Sequence, residues 1–338
     1  MDPVSQGAVG AAFAQTASTR ERVLAFSIIG ALAGMAPDLD VLIQSPTDPL
    51  LFLEYHRHFT HALIFIPFGA LIVAAVMNLV PRNPLTFRQT YLASLIGYAT
   101  HGLLDACTSY GTQLFWPFSD QRVAWNNISV VDPFVTVPLL VLIAAAVWRK
   151  NKLYTSLGLA WLIGYLLLGV WQNQRAVDAG FAIAQARGHN PTHVSAKPSF
   201  ANIILWKTIY EHDGYYYVDG ARVTTESTHC PGARIEKLDL ARHFPALNPN
   251  SQTARDIERF RWFSQDHLAP FEDGRQIIDI RYSNLPTEIE PLWGIAIDPQ
   301  AAIDDHVAFW PNRRVSEEQM TQLGKLIDGT ACAPIGDL

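Results

Sequence analysis

Apolar residues are spread unevenly along the chain. From about residue 23 to residue 172 they run almost without interruption, broken by short polar connections, whereas residues 173–338 mix apolar, polar and charged positions as an ordinary soluble protein does. A helix needs roughly 17–25 apolar residues to cross a bilayer. Runs of that order lie near residues 23–43, 59–80, 89–107, 131–148 and 153–171. The pattern therefore predicts a mostly α, polytopic membrane domain, a helical bundle, over residues 1–172. The alternative is a buried helical core, but five such runs are more than a soluble core needs. Ahead of them, residues 8–14 form a shorter apolar stretch, suited to an interfacial helix or a thin extra span. Met1-Asp2-Pro3-Val4-Ser5-Gln6 lacks the basic opening of a cleavable signal peptide.

The second half changes period. Residues 203–210 are strand-like, and Glu211-His212-Asp213-Gly214 is a hairpin turn signal before a second strand at 215–220. Residues 277–282 and 292–297 read as further strands, and 175–186, 254–266 and 316–326 as helices. This predicts a small α+β domain over residues 173–338. It contains no recognisable catalytic motif, and its histidines, from His189 to His306, read as surface or packing residues.

Charge gives the membrane half an orientation. Lys and Arg accumulate in cytoplasmic loops. Arg20 and Arg22, Arg82 and Arg88, and Arg149, Lys150 and Lys152 alternate with two connections holding only Arg57 and Arg122. The basic connections are placed inside, and the other two, with everything after Trp171, outside. Over the whole chain, 49% of residues are apolar, 17% are charged and the net charge is −6. No basic stripe or arm is present, which argues against nucleic acid as a partner.

The chemistry-bearing residues collect at the ends of the apolar runs. Asp38 and Asp40 close the first, His56, His58 and His61 open the second, His101 and Asp105 close the third, and Asp132 starts the fourth. All fall on the outer face given by the charges, although the charge rule made no use of them. Ionisable side chains beside hydrocarbon are costly, so such a cluster points to function. His101 and Asp105, four apart, share a helix face. Mixed His/Asp ligation suits a divalent ion, zinc first, and the set could hold one ion or two. The candidate ligands are Asp38, Asp40, His56, His61, His101 and Asp105, with Asp132 a further ligand or a partner that orients a histidine. His56 and His61 are favoured over His58. Glu54 or Asp120 could act as general base. The polar, aromatic loop 108–133 reads as a lid or substrate wall.

Met1-Asp2-Pro3-Val4, Pro37-Asp38-Leu39-Asp40, His56-Arg57-His58-Phe59-Thr60-His61, His101-Gly102-Leu103-Leu104-Asp105, Trp116-Pro117-Phe118 and Asn126, Ile128, Asp132 and Pro133 occur in this order. In that combination the first 170 or so residues resemble the YbcI/YdjM family of bacterial inner-membrane metal-dependent hydrolases. The family in turn is remotely similar to the helical zinc phospholipase C and P1 nuclease fold, which implies metal-assisted phosphoester chemistry. Members often carry a Thr-His pair near the start, where this chain has Ser5-Gln6, and an amide is a poor zinc ligand.

The expectation is a multi-pass inner-membrane hydrolase with a periplasmic C-terminal domain, acting on a phosphoester or lipid-linked substrate from the outer leaflet. A metal-binding scaffold that recruits partners is the alternative. An ion or proton pathway ranks last, because the inner halves of the spans are nearly free of polar residues. Cys230 and Cys332 share the domain assigned to an oxidising compartment and are expected to pair, in turn-like exposed loops, while Cys107 has no obvious partner.

Overall fold

The computed structural model describes residues 1–272, 274–312 and 314–337. It divides into two compact units. The first comprises Met1–Leu42, Tyr55–Trp171 and Phe200–Ile203, and the second Ile43–Glu54, Gln172–Ser199 and Ile204–Leu338.

The first unit is helical. Helix α1 (Pro3–Thr16) starts where Asp2 accepts hydrogen bonds from the Val4 and Ser5 amides, with Pro3 in the first turn. It is buried along most of its length. Helix α2 (Val23–Met35) runs into a 3-10 turn (Ala36–Leu42). After the short α3 (Leu51–Tyr55), the segment expected to form one helix from residue 59 breaks into 3-10 turns at Phe59–His61 and Leu63–Phe65 before α4 (Ile66–Asn78). Helix α5 (Phe87–Ala106) begins with a Thr86/Gln89 capping box, and α6 (Pro133–Arg149) begins at Asp132.

Glycines set how closely these helices approach. A Cβ on Gly10 would stand 2.4 Å from the Gly30 carbonyl oxygen, and one on Gly97 would stand 2.3 Å from the same atom. The backbones of α1, α2 and α5 therefore touch directly, the small-residue packing favoured where lipid supplies no hydrophobic drive between helices. Among the described residues, Val23–Leu42 (20 residues) and Lys152–Ala186 (35 residues) are long and apolar enough to cross a membrane. The pair Leu51–His61 and Leu63–Asn78, bent by 57°, makes a third if counted as one span. Helix α6 is apolar but has 17 residues.

Helix α7 (Lys152–Ala186) is uninterrupted, so the expected span at 153–171 and helix at 175–186 are one element. Hydropathy changes after Trp171, but Gln172-Asn173-Gln174-Arg175 contains no helix breaker.

The second unit holds two antiparallel sheets. The first has the order β1 (Val194–Pro198), β2 (Leu205–His212), β3 (Tyr215–Val223), β4 (Ser227–Glu236), β9 (Ala333–Pro334). The β2–β3 turn is Asp213-Gly214, both at positive φ (49° and 75°), the left-handed pair a tight hairpin requires. The second sheet runs β5 (Leu268–Phe271), β6 (Gln276–Asp279), β7 (Trp293–Ala296), β8 (Ala308–Pro311). Ile209, Tyr216 and Val218 of one sheet pack with Ala269, Ile278 and Ile280 of the other region in a shared core. Helices α8 (Leu240–His243), α9 (Gln252–Phe263) and α10 (Glu317–Asp328) belong to this unit, as do most of α3 and the C-terminal part of α7.

Cys230 and Cys332 form a disulfide across 102 residues of sequence, and Cys107 is free and buried. The expectation of an exposed loop at Cys230 is corrected. His229-Cys230-Pro231-Gly232 lies within β4, and Cys230 is fully buried. A register shift at Val218/Gly220 accommodates the strand opposite Pro231, which cannot donate to the ladder.

Candidate metal centre

Three local structures build the site. Pro37 lies in the 3-10 turn that ends α2, and this tighter winding carries Asp38 and Asp40. His61 ends the short turn Phe59–His61. His101 and Asp105 lie one turn apart near the end of α5. Gly102 lets that helix lie against the His61 backbone, since a Cβ there would stand 2.3 Å from the His61 carbonyl oxygen.

Four donor atoms converge. His61 Nε2 lies 2.8 Å from His101 Nε2, 3.2 Å from Asp105 Oδ2 and 3.5 Å from Asp38 Oδ1. His101 Nε2 lies 3.4 Å from Asp38 Oδ1 and 3.5 Å from Asp105 Oδ2. A tetrahedral ion with bonds of about 2.0–2.1 Å has donor–donor edges of about 3.3–3.4 Å. The observed edges bracket that value. His61, His101 and Asp105 side chains are fully buried, and Asp38 is 20% exposed.

The surrounding groups decide which atoms are offered. His101 Nδ1 donates to the Gly34 carbonyl at 2.5 Å; a carbonyl only accepts, so Nε2 is the nitrogen left to face the cluster. His61 Nδ1 faces Asp40 Oδ2 at 3.2 Å, the carboxylate–histidine pairing that fixes ring orientation at metal sites. Asp40 Oδ2 also accepts from Thr60 Oγ1 (3.0 Å) and the Arg57 amide (2.9 Å). Asp105 Oδ1 accepts from Gln6 Nε2 at 2.9 Å and contacts the Met1 amino group. Among the described residues, Asp105 Oδ2 is buried and accepts no hydrogen bond, and Arg57 Nε is its ion-pair partner at 3.1 Å. Buried carboxylates need compensating charge, and this oxygen, facing two imidazole nitrogens as well as Arg57, also suits a divalent cation.

A second group shares a residue with the first. Asp38, Asp40 and His56 also bring donor atoms within 4.8 Å of one another. Six of the seven ligands expected from the sequence thus fall into these two groups. Asp132 joins neither. It caps α6, accepting from the Phe134 amide at 3.1 Å, and accepts from the Tyr165 hydroxyl at 3.0 Å. His58 also joins neither and packs against Trp116, ring centroids 5.3 Å apart. Glu54 belongs to the second unit, where Arg259 Nε donates to it at 2.5 Å. Asp120 is exposed in loop 108–133 and joins neither group.

Arg57 is the residue that sequence reasoning missed, having counted it only as loop charge. Held at a positive φ of 64°, it is buried against Asp105, donates to Thr108 Oγ1 at 2.9 Å and lies over the Tyr110 ring at 4.8 Å. Its place between His56 and His58 was the available signal. The loop after α5 is pinned by backbone bonds from Gln113 to the Arg57 carbonyl (3.0 Å) and from Asn127 to the Cys107 carbonyl (2.7 Å).

The family model described as YdjM inner membrane protein matches residues 1–176, the segment containing every residue of both groups. The chain is 31% identical over 142 residues to the uncharacterized protein YfhP of Bacillus subtilis (strain 168), which covers 42% of this chain and 41% of that protein. It therefore spans less than half the length of this relative. No solved structure matches the chain.

Proposed function

The chain belongs to the YdjM inner membrane protein family, and from that membership and the His/Asp geometry we propose that it is a membrane-bound metal-dependent hydrolase. We place its substrate, a phosphoester or lipid-linked molecule, at the periplasmic face. The observation that carries the reading is the convergence of Asp38 Oδ1, His61 Nε2, His101 Nε2 and Asp105 Oδ2, with separations of 2.8–3.5 Å that scatter about the edge of a zinc-sized tetrahedron. A bound divalent ion supplies a Lewis acid and acidifies the water it contacts. The chain's own groups do the rest. Asp40 and the Gly34 carbonyl hold the two imidazoles with Nε2 turned inward. Arg57 fixes a positive charge beside the cluster, suited to the oxygens of a phosphoryl group. The reading gives no role to Glu54 or Asp120.

The periplasmic placement rests on the alternation of basic loops and is supported by the disulfide in the second unit, a bond that persists in oxidising compartments. A reporter fused within 81–88 should behave as cytoplasmic and one fused after Trp171 as periplasmic; the reverse would move the site to the cytoplasm.

One observation favours the second reading, a metal-binding scaffold: four protein donors leave no open position on a tetrahedral ion, as in structural sites. Phosphodiesterase and lipid phosphatase assays on purified protein, wild type beside His101→Ala, separate the two. Turnover that disappears with the ion supports the hydrolase. A metal-loaded wild type that turns over nothing supports the scaffold.

A further inference from the structure

We infer that the cluster is a two-ion centre in which Asp38 is shared: an inner ion is held by Asp38, His61, His101 and Asp105, and an outer ion by Asp38, Asp40 and His56. The inference deepens the proposed function and rests on it. Its starting point is the overlap of the two donor groups at one carboxylate. A carboxylate has two oxygens and can serve two ions, which in paired sites stand about 3.5–4 Å apart. Asp38 Oδ1 is the oxygen near His61 and His101, which leaves its partner oxygen for the outer position.

Asp40 is divided in the same way. Its Oδ2 is taken up by the Arg57 amide, Thr60 Oγ1 and His61 Nδ1. Its Oδ1 faces His56 Nδ1 at 2.8 Å, the separation found between the two Nε2 atoms of the inner group. One carboxylate thus orients His61 with one oxygen and faces His56 with the other. The edge-on contact of the His56 ring with Tyr110, centroids 5.4 Å apart, holds that imidazole at the same place.

Burial separates the roles. The inner position has four protein donors, three of them fully buried, and is closed. The outer has three, and two of these, Asp38 at 20% and His56 at 21%, reach the surface. Three protein ligands with an open position is the arrangement of a catalytic ion, and four without one that of a structural ion. The outer ion is therefore the one that meets water and substrate, and the inner ion fixes Asp38. This also resolves how a site closed at its inner position can still hydrolyse.

The test is metal stoichiometry on purified full-length protein, stripped and reloaded with Zn²⁺ or with Mn²⁺. Wild type should hold two ions, and His56→Ala and His56→Gln one each. His101→Ala should lose the inner ion. Mn²⁺-loaded wild type should show the exchange-coupled electron paramagnetic resonance spectrum of a close pair, and both His56 variants the uncoupled spectrum of one ion. A wild type that binds one ion, unchanged in both His56 variants, overturns the two-ion centre while leaving the metal reading intact. A wild type that binds none overturns both.

Discussion

Gln6 Nε2 stands 2.9 Å from Asp105 Oδ1 and donates to it. Gln6 therefore supports a candidate ligand, Asp105. Gln6→Leu should leave the fold intact, because α1 is held by its glycine contacts, but it removes a donor to Asp105 Oδ1 and so loosens that carboxylate. Losing such a supporting partner costs about 10–100-fold in ion affinity. Competition with a chelator measures this, and an unchanged affinity would remove Gln6 from the site.

Gly102→Ala should act like His61→Ala. The added Cβ would meet the His61 carbonyl oxygen at 2.3 Å, so either α5 or the His61 turn must shift. Overpacking of this kind costs about 1–3 kcal/mol, and here the strain falls on the segments carrying two candidate ligands, His61 and His101. Metal content should drop with only a modest loss of thermal stability. A fully loaded variant would show that the turn can yield without moving His61.

The Cys230–Cys332 bond makes two measurable claims. Denatured, unreduced protein should show one free thiol, that of Cys107; three would exclude the bridge and weaken the periplasmic placement. Cys332→Ser should lower stability by about 2–5 kcal/mol, the usual cost of losing a native disulfide from a small domain.

The second unit should lose stability in mild acid. Burial first, and then the positive charges of Lys197 and Arg281, push the His267 imidazole down to about 4. An unfolded histidine titrates near 6.5. Unfolding therefore takes up a proton between about pH 6.5 and 4, and stability falls as the pH drops through that window. The melting temperature of detergent-solubilised protein should decline from pH 7 to pH 5, and His267→Gln should flatten the decline. An equal slope in the variant would assign it to other groups.

Much of the site was legible because its candidate ligands obey local rules. His101 and Asp105 share a face by spacing alone, and Asp38 and Asp40 flank the end of an apolar run. What tertiary contact decides was not legible. Arg57 reads as a loop charge until the fold buries it against Asp105. The split of Asp40 between His61 and His56 depends on two segments meeting. Asp132 is a different case. Asp132-Pro133 is a helix-start signal, and the residue does cap α6. In the second unit, the hairpin at Asp213-Gly214 was marked by its turn residues. Strand β4 was hidden by Pro231-Gly232, which punctuate a turn in most contexts and here sit in a strand with a shifted register.

X-ray absorption at the zinc edge of the purified, zinc-loaded protein shows whether His61 and His101 hold a metal. The spectrum should contain a shell of nitrogen and oxygen at about 2.0–2.1 Å, with no sulfur. Outer-shell imidazole scattering should weaken in His101→Ala and in His61→Ala. A protein that retains no zinc, or imidazole scattering unchanged in both variants, would contradict the metal centre.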